Sequence, residues 1–498
     1  MTAALTDSAD FVVVGTGAGG ATAARVLAAA GHSVIMVEEG PRLAREERAP
    51  AFLDDMSVAL RDMGTQTTVS ATPMPLLQGR LVGGSTAINS GIVWRMPDDV
   101  RADWTERFGL GELVRADEQE RIYGIIEDEL EVAETRREVL GGNSLKMEAA
   151  CRALGLPGQP MRRNARRCTG HDRTFQGCPG DAHQSMDVSY VPRALRDGAR
   201  LHADARVERV TSEAGRATGV VGDRLDREGR VAGRFDFRAR RGVVVAAGAI
   251  HTPVILLRSG LRGLVGERFQ AHPGAAVVGR FADVIDMSFG AAQGYEVPMR
   301  ADGFKLESLA LPPEMLAARL PGAGPEWQER LAALDHFGQW VAETRMRAHG
   351  RVSVGWGGKP VVRYEPSADD LRIVQRAIAL IARMMFAAGA TEVYPGVARL
   401  PEVLTRADQV ELIERAELRR ADLHLLASHL FGTACAHADP SRGVVGPNLE
   451  AHALPGLFVM DASVFPTNLG VNPQHSIMTV VWRAAEQLAL RGRAQRTA

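Results

Sequence analysis

The 498-residue sequence is short of lysine, cysteine and aromatic residues, and it has no long hydrophobic run. Of its 59 basic residues only Lys146, Lys305 and Lys359 are lysines, a skew of the kind a GC-rich genome produces. Four cysteines, Cys151, Cys168, Cys178 and Cys435, contain no C-x-x-C pair, which excludes the common zinc and redox spacings. Cys168 and Cys178 are near enough to pair if a loop brings them together; free thiols in a reducing compartment are the other reading. His171 and His183 beside them do not complete a usual zinc pattern, and no H-E-x-x-H occurs, so no metal is expected. The 5% aromatic content argues against a heavily stacked aromatic site. The apolar run Phe11–Val14 is far too short to cross a bilayer. The start, MTAALTDSAD, lacks a basic segment followed by an apolar one. No transmembrane segment is therefore expected, and the expected location is cytoplasmic. A net charge of −1 shows no basic footprint for nucleic acid. What remains, 45% hydrophobic and 24% charged residues, is the mix of a folded globular chain. Its length corresponds to roughly three domain-sized units, or two if one is large.

The N-terminus alternates strand and helix. Phe11–Val14 is apolar and β-branched, as in a buried parallel strand. A glycine-rich break at 15–20 follows, then ATAARVLAAAG, built of strong helix formers and stopped at Gly31. Ser33–Val37 is a second β-branched run, so the segment reads as a βαβ unit. Residues 112–156 carry helical charge patterning. The Gly/Pro/Arg/His-rich stretch 157–185 reads as a long ordered loop, which in a compact domain is functional or disordered. Residues 201–248 suggest strands, and 275–365 alternate short strands with loops. An amphipathic helix is predicted from 367 to 389, after Pro366. A strand at Leu457–Met460 and a helix over Ser476–Leu490 follow, and the polar tail RGRAQRTA is expected to fray.

Gly15-Thr-Gly17-Ala-Gly-Gly20 fits G-x-G-x-x-G between a strand and a helix. The first glycine permits the tight turn, the second lets a pyrophosphate approach the backbone, and the third lets helix pack on strand. The helix N-terminus then faces the phosphates. Glu38 ends the second strand, where a carboxylate accepts two ribose hydroxyls. The motif alone does not separate NAD from FAD.

Three further segments do. GRLVGGSTAINSG (79–91), GAIHTPVILLRSG (248–260) and the stretch from His429 to Met478, in that order behind the glycine motif, resemble the glucose–methanol–choline (GMC) oxidoreductases. These are FAD enzymes that oxidise alcohols. The resemblance spans nearly the whole chain, and residues 280–425 carry it least. GCPGDAHQSMDVSYVPRAL (177–195), the Asn-Ser-Gly of the second motif and the VNP near the C-terminus resemble the long-chain alcohol oxidase and cholesterol oxidase-like branch, which implies a bulky alcohol.

The resemblance assigns roles residue by residue. Arg80, Gly83, Gly84, Ser85, Asn89 and Gly91 match the flavin-contacting loop, with Asn89 either near the reactive edge or capping a turn. Some family members attach FAD through a His just before this Asn; Ile88 stands there, which implies non-covalent FAD. Val207 matches a backbone contact to adenine, or is a plain core valine. Asp461 matches a residue near the flavin diphosphate, or caps a turn. His429 matches the catalytic base, which accepts the hydroxyl proton. Asn472 matches its partner, whose amide holds the substrate oxygen; otherwise it is a loop residue before Pro473. His475 departs from the family pattern and either reaches the site or has no chemical role. His272 matches a His near FAD, with Ala271 in place of the usual Asp. Glu343 falls where some relatives carry an acidic residue. His251 is expected to pack near the FAD region, and His437 and His452 to lie in loops or at the surface.

The expected fold is α/β: a Rossmann-like FAD-binding domain, a parallel sheet with helices, from 1–110, 190–280 and 430–498, and an α+β substrate-binding domain from 111–189 and 281–429. The expected partners are a small-molecule alcohol and O₂ or another electron acceptor. The expected reaction is hydride transfer from CH–OH to flavin N5, giving an aldehyde or ketone. A non-oxidative flavoprotein of the same family, a lyase or a light-driven fatty-acid decarboxylase, is the alternative.

Overall fold

A computed structural model describes residues 4–49 and 51–494. The first sheet is built from β1 (Leu5–Val14), β2 (Val34–Val37), β3 (Arg200–His202), β4 (Ala205–Glu213), β5 (Arg216–Leu225) and β6 (Val231–Val245), in the order β3-β2-β1-β6-β5-β4. Strands β3, β2, β1 and β6 run parallel, and the strand Leu457–Val459 joins β6 in parallel. Strands β4 and β5 extend the sheet as antiparallel neighbours. The βαβ unit is thus present, with Val34–Val37 buried along its whole length. That continuous apolar run is what a strand covered on both faces requires.

Five helices frame the molecule: α1 (Ala18–Ala29), α2 (Ala116–Glu129), α3 (Gly248–Arg258), α4 (Ala368–Ala387) and α5 (Gln474–Ala494). Helices α1 and α2 both pack on α5. Ile122 and Ile126 of α2 belong to the core around the first sheet, so this segment, expected with the substrate region, lies with the dinucleotide fold. Helix α5 extends beyond the expected 476–490 at both ends; the last four residues of the tail expected to fray lie outside the described residues. Among the described residues no helix is long and apolar enough to cross a membrane.

The second sheet has nine strands. Its spine is β7 (Glu267–Phe281), and around it lie β8 (Tyr295–Val297), β9 (Phe304–Ser308), β10 (Phe337–Thr344), β11 (Gly350–Val354), β12 (Pro360–Arg363), β13 (Ala390–Tyr394) and β14 (Leu426–Phe431), with the two-residue strand Gln159–Pro160 on the outer edge of β8. Strand β7 pairs antiparallel with β10, β11, β13 and β14. It therefore belongs to this sheet, although 267–280 was expected with the FAD region. Alternation along the strands splits the sheet into two faces. One carries Trp340, Ala342 and Leu306 into an apolar core with α4. Helix α4 starts where predicted, with Ser367 and Asp370 capping each other. The opposite face carries Glu343 and His272 and looks into a large cavity.

Candidate functional site

That cavity holds about 1170 Å³ and is walled by both sheets. It exceeds the roughly 300–1,000 Å³ typical of a single small-ligand pocket. Its walls run from Gly15, Glu38 and Val207 to His429, Glu343 and Asn472.

The dinucleotide half is shaped by the glycine motif. Gly15 has φ +91°, and a Cβ there would lie 2.3 Å from the Ala246 carbonyl oxygen. A Cβ on Gly20 would lie 2.0 Å from the Gly15 oxygen, so this glycine serves helix–strand packing. A Cβ on Gly17 would meet no atom closer than 4.0 Å, because this glycine faces the cavity. The N-termini of α1, α3 and α5 all contribute cavity wall, through Gly17–Gly19, Gly248–Ala249 and Pro473–Gln474. Each presents the positive end of a helix dipole.

Glu38 Oε2 accepts from Thr16 N and Oγ1, and its Oε1 accepts from Gly40 N at 3.0 Å. Burial raises its pKa against those bonds. Asp461 Oδ2 accepts from Gly248 N and Thr252 Oγ1, and Oδ1 from Ser463 N. It thus caps a turn and still lines the cavity. Asn89 ties its own turn together, accepting from Gly91 N and donating to Gln474 Oε1 at 2.7 Å. Gly84, Ser85, Ile88 and His251 also line the cavity, whereas Gly20, Arg80, Gly83 and Gly91 stand behind its wall. An extended cavity with an open glycine, three helix N-termini and an acid at the end of β2 fits FAD.

The chemistry-bearing half is assembled by strand register. His272 on β7 lies opposite His429 on β14, and Gly274 lies opposite Glu343 on β10. A bulge at His272–Pro273 absorbs one residue of β14, as a proline without an N–H requires. Glu343 in turn lies opposite Lys305 on β9, two residues from Glu307, which faces Glu296 on β8. Five strands thereby present one row of titratable groups on a single sheet face.

Within the row, ligating atoms of His272, Glu343 and His429 lie within 4.8 Å of one another. His429 Nδ1 is 3.4 Å from Glu343 Oε2, and Asn472 Nδ2 is 3.4 Å from the same oxygen. Burial disfavours the charged imidazole, but the facing Glu343 overcomes this and raises the His429 pKa. Burial likewise pushes Glu343 up, and His429 with Lys305 holds it below the ordinary carboxylate range. His272 is neutral, its pKa pushed down to about 3 by burial and by His429. Its Nε2 meets both Gly470 N at 3.0 Å and Asn468 Oδ1 at 3.3 Å, and its Nδ1 is buried without a hydrogen-bond partner among the described residues.

Lys305, 1% exposed, stands in this row and was missed by the sequence reading. Its three N–H groups meet three acceptors: Glu296 Oε2 at 2.6 Å, Glu307 Oε1 at 2.7 Å and Asn472 Oδ1 at 2.5 Å. The signal was present, since one of only three lysines sits two residues from a glutamate in a short apolar strand.

His475 faces away from the cavity. It is 1% exposed, stacks on Tyr123 and places Nε2 3.2 Å from Glu127 Oε1. The helix register that puts Gln474 in the cavity wall turns the next residue into the α2–α5 interface. His437 lies in a loop, as expected, and is buried there against Phe108. The four cysteines are free thiols.

With this arrangement in view, comparison with known proteins gives the family. The chain matches the family models for GMC oxidoreductases, the N-terminal one over residues 9–274 and the C-terminal one over 347–480. The protein belongs to the GMC oxidoreductases. It is 37% identical to an uncharacterized GMC-type oxidoreductase of Mycobacterium tuberculosis, over 96% of this chain and 75% of that one. It is 26% identical to the long-chain-alcohol oxidase FAO4B of Arabidopsis thaliana, over 95% of this chain and 66% of that one. Its fold is shared with pyridoxine 4-oxidase from Mesorbium loti, at a TM-score of 0.71 and 18% identity, over 97% of this chain and 99% of that one.

Proposed function

We propose that the protein oxidises an alcohol to an aldehyde or ketone with non-covalently bound FAD. The observation that carries this reading is the His429–Glu343–Asn472 arrangement. Glu343 Oε2 stands 3.4 Å from Nδ1 of His429, at ion-pair distance but outside hydrogen-bond geometry. A proton held on Nδ1 leaves Nε2 as the basic nitrogen, the same division of labour as in an acid–histidine pair. His429 then takes the hydroxyl proton, and one N–H of Asn472 steadies the oxygen as it gains negative charge. The carbon–hydrogen bond breaks with both electrons, and the carbon–oxygen double bond forms. Bound FAD supplies the acceptor for that hydride. The electrons pass finally to O₂ or another acceptor.

The glycine motif and Glu38 would hold the adenosine diphosphate end, with Val207 near the adenine. Gly84, Ser85, Asn89 and Asp461 would lie along the rest of the cofactor. Ile88 lines the cavity and has no nucleophilic atom, which supports non-covalent attachment. Free thiols support a reducing, cytoplasmic setting. Glu343 beside the base favours a neutral hydroxyl over a carboxylate at this point, against the decarboxylase alternative.

The test is anaerobic addition of an alcohol panel to the holoenzyme in the dark, with the flavin absorbance followed. One alcohol should bleach the flavin. His429→Ala should retain flavin and slow bleaching by about 10²–10⁴-fold. Wild-type bleaching by that variant would sink the assignment of the base.

A further inference from the structure

Arg319 is a cation in the cavity wall that the chemistry above does not use. It follows the short helix Pro313–Ala317 and is half-buried. One Nη2 hydrogen bond, 3.0 Å long, goes to the Ala276 carbonyl. Its Nε is buried with no hydrogen-bond partner among the described residues. No carboxylate pairs with it among the described residues, and burial alone lowers its pKa. Arg48 and Arg61, which are also largely buried, are each paired with an acid, Asp55 at 2.7 Å and Glu39 at 2.8 Å, whereas the buried Arg163 and Arg420 bond to backbone carbonyls. A half-buried guanidinium facing a cavity without a counter-charge is a standing cost unless an anion arrives there.

Its position follows from strand geometry. Ala276 is four residues beyond His272 on β7, on the same face, so the two levels are separated by about 13 Å, roughly ten carbon–carbon bonds. The Ala276 carbonyl is available because β14 ends opposite Gly274 and β13 begins opposite Val278. His424 also lines the cavity at this end and feels the Arg319 charge. Gln339, on β10 opposite Val278, adds an amide whose oxygen lacks a partner. Between the two polar ends the wall is apolar, formed by Val341, Leu309, Leu311, Met315 and Leu426.

We propose that the substrate is an amphiphilic alcohol whose far end is an anion, a carboxylate or a phosphate monoester, bound by Arg319 about ten bonds from the hydroxyl that faces His429. The hydroxyl end of this inference rests on the alcohol-oxidation reading; the anion end rests on Arg319 alone. A planar guanidinium suits either anion through paired N–H donors.

The test compares 10-hydroxydecanoate, 10-hydroxydecyl phosphate and 1-decanol as substrates of the holoenzyme, with decanoate and decyl phosphate as non-reacting ligands in calorimetry. At least one anionic alcohol should be preferred to 1-decanol, and which one identifies the anion. Arg319→Gln should remove about 10- to 100-fold from kcat/KM for the preferred anionic alcohol and leave 1-decanol unchanged. The variant should weaken the matching hydroxyl-free ligand by a similar factor, and Arg319→Lys should restore part of it. Equal losses for charged and neutral alcohols, or ligand binding that ignores the substitution, would overturn the proposal. If no alcohol bleaches the flavin yet decanoate or decyl phosphate binding depends on Arg319, the oxidation reading fails and the anion site stands.

Discussion

Lys305→Met isolates what the buried ion cluster does for catalysis. The ammonium is enclosed by Glu296, Glu307 and Asn472, each within 2.7 Å, with no N–H to spare. The Trp94 ring lies 5.2 Å from it. Glu296 keeps Trp94 Nε1 and Gln159 Nε2 as donors, and Glu307 keeps Gln293. Methionine fills similar space but leaves two facing carboxylates without a cation. Breaking a buried pair from one side costs about 3–5 kcal/mol. The second effect is on Asn472, whose Oδ1 is fixed by Lys305 and whose Nδ2 therefore points toward Glu343 and the cavity. Without Lys305 the amide is free to turn over. A hydrogen bond involving a charged group is worth about 1.5–3 kcal/mol, so kcat should fall about 10- to 100-fold with little change in KM.

The two effects separate in Lys305→Met/Glu307→Gln, which removes one charge of each sign. That double variant should recover most of the denaturant stability lost by the single one, and its flavin reduction in stopped flow should stay slow. A double variant that is stable and reduces flavin at the wild-type rate would refute the reasoning, because Lys305 would then be a structural cation only.

Other substitutions test the remaining assignments. Glu343 raises the His429 pKa against burial, and the base works only when neutral, so kcat/KM should be lost as pH falls through that raised value. Glu343→Gln removes the main opposition to burial and leaves only the more distant Glu307 charge; the acid limb should move to lower pH, with a drop of about tenfold from poorer orientation of the imidazole. An unmoved limb in the pH–rate profile would mean that another group sets it. His475→Gln should lower stability, since its stacking on Tyr123 and its bond to Glu127 are lost, while kcat stays within about twofold. A large loss of kcat would return His475 to the site. Acid precipitation should leave the flavin in the supernatant, because Ile88 in the cavity wall has no nucleophilic atom; yellow protein in the pellet would contradict the proposed non-covalent binding.

The dinucleotide half was legible because its signals are local. Gly15, Gly17 and Gly20 sit in six consecutive residues, between a β-branched run and a helix, and Glu38 lies one strand away. The Gly20 demand is set inside the βαβ unit by the Gly15 oxygen, while Gly15 also meets the distant Ala246 carbonyl and Gly17 faces the open cavity. The 267–280 segment was misplaced for the converse reason. Its partners, at 337–343 and 426–431, are distant in sequence, and nothing in a single strand states which sheet it joins.

The same non-locality hid Lys305. Lys305 and Glu307 alternate with Phe304 and Leu306, the period-two pattern of a strand with one polar face. In isolation that pattern implies a solvated face, because charged residues are almost never fully buried unless paired. Burial of all four residues follows only once Glu296, Glu343 and Asn472 arrive from three other segments. The cluster is therefore worth its desolvation only if the three-way fit around the ammonium does something a hydrophobic layer would not. Fixing the Asn472 amide against turning over meets that condition. A layer of methionine and leucine could fill the space, but it would offer Oδ1 no donor.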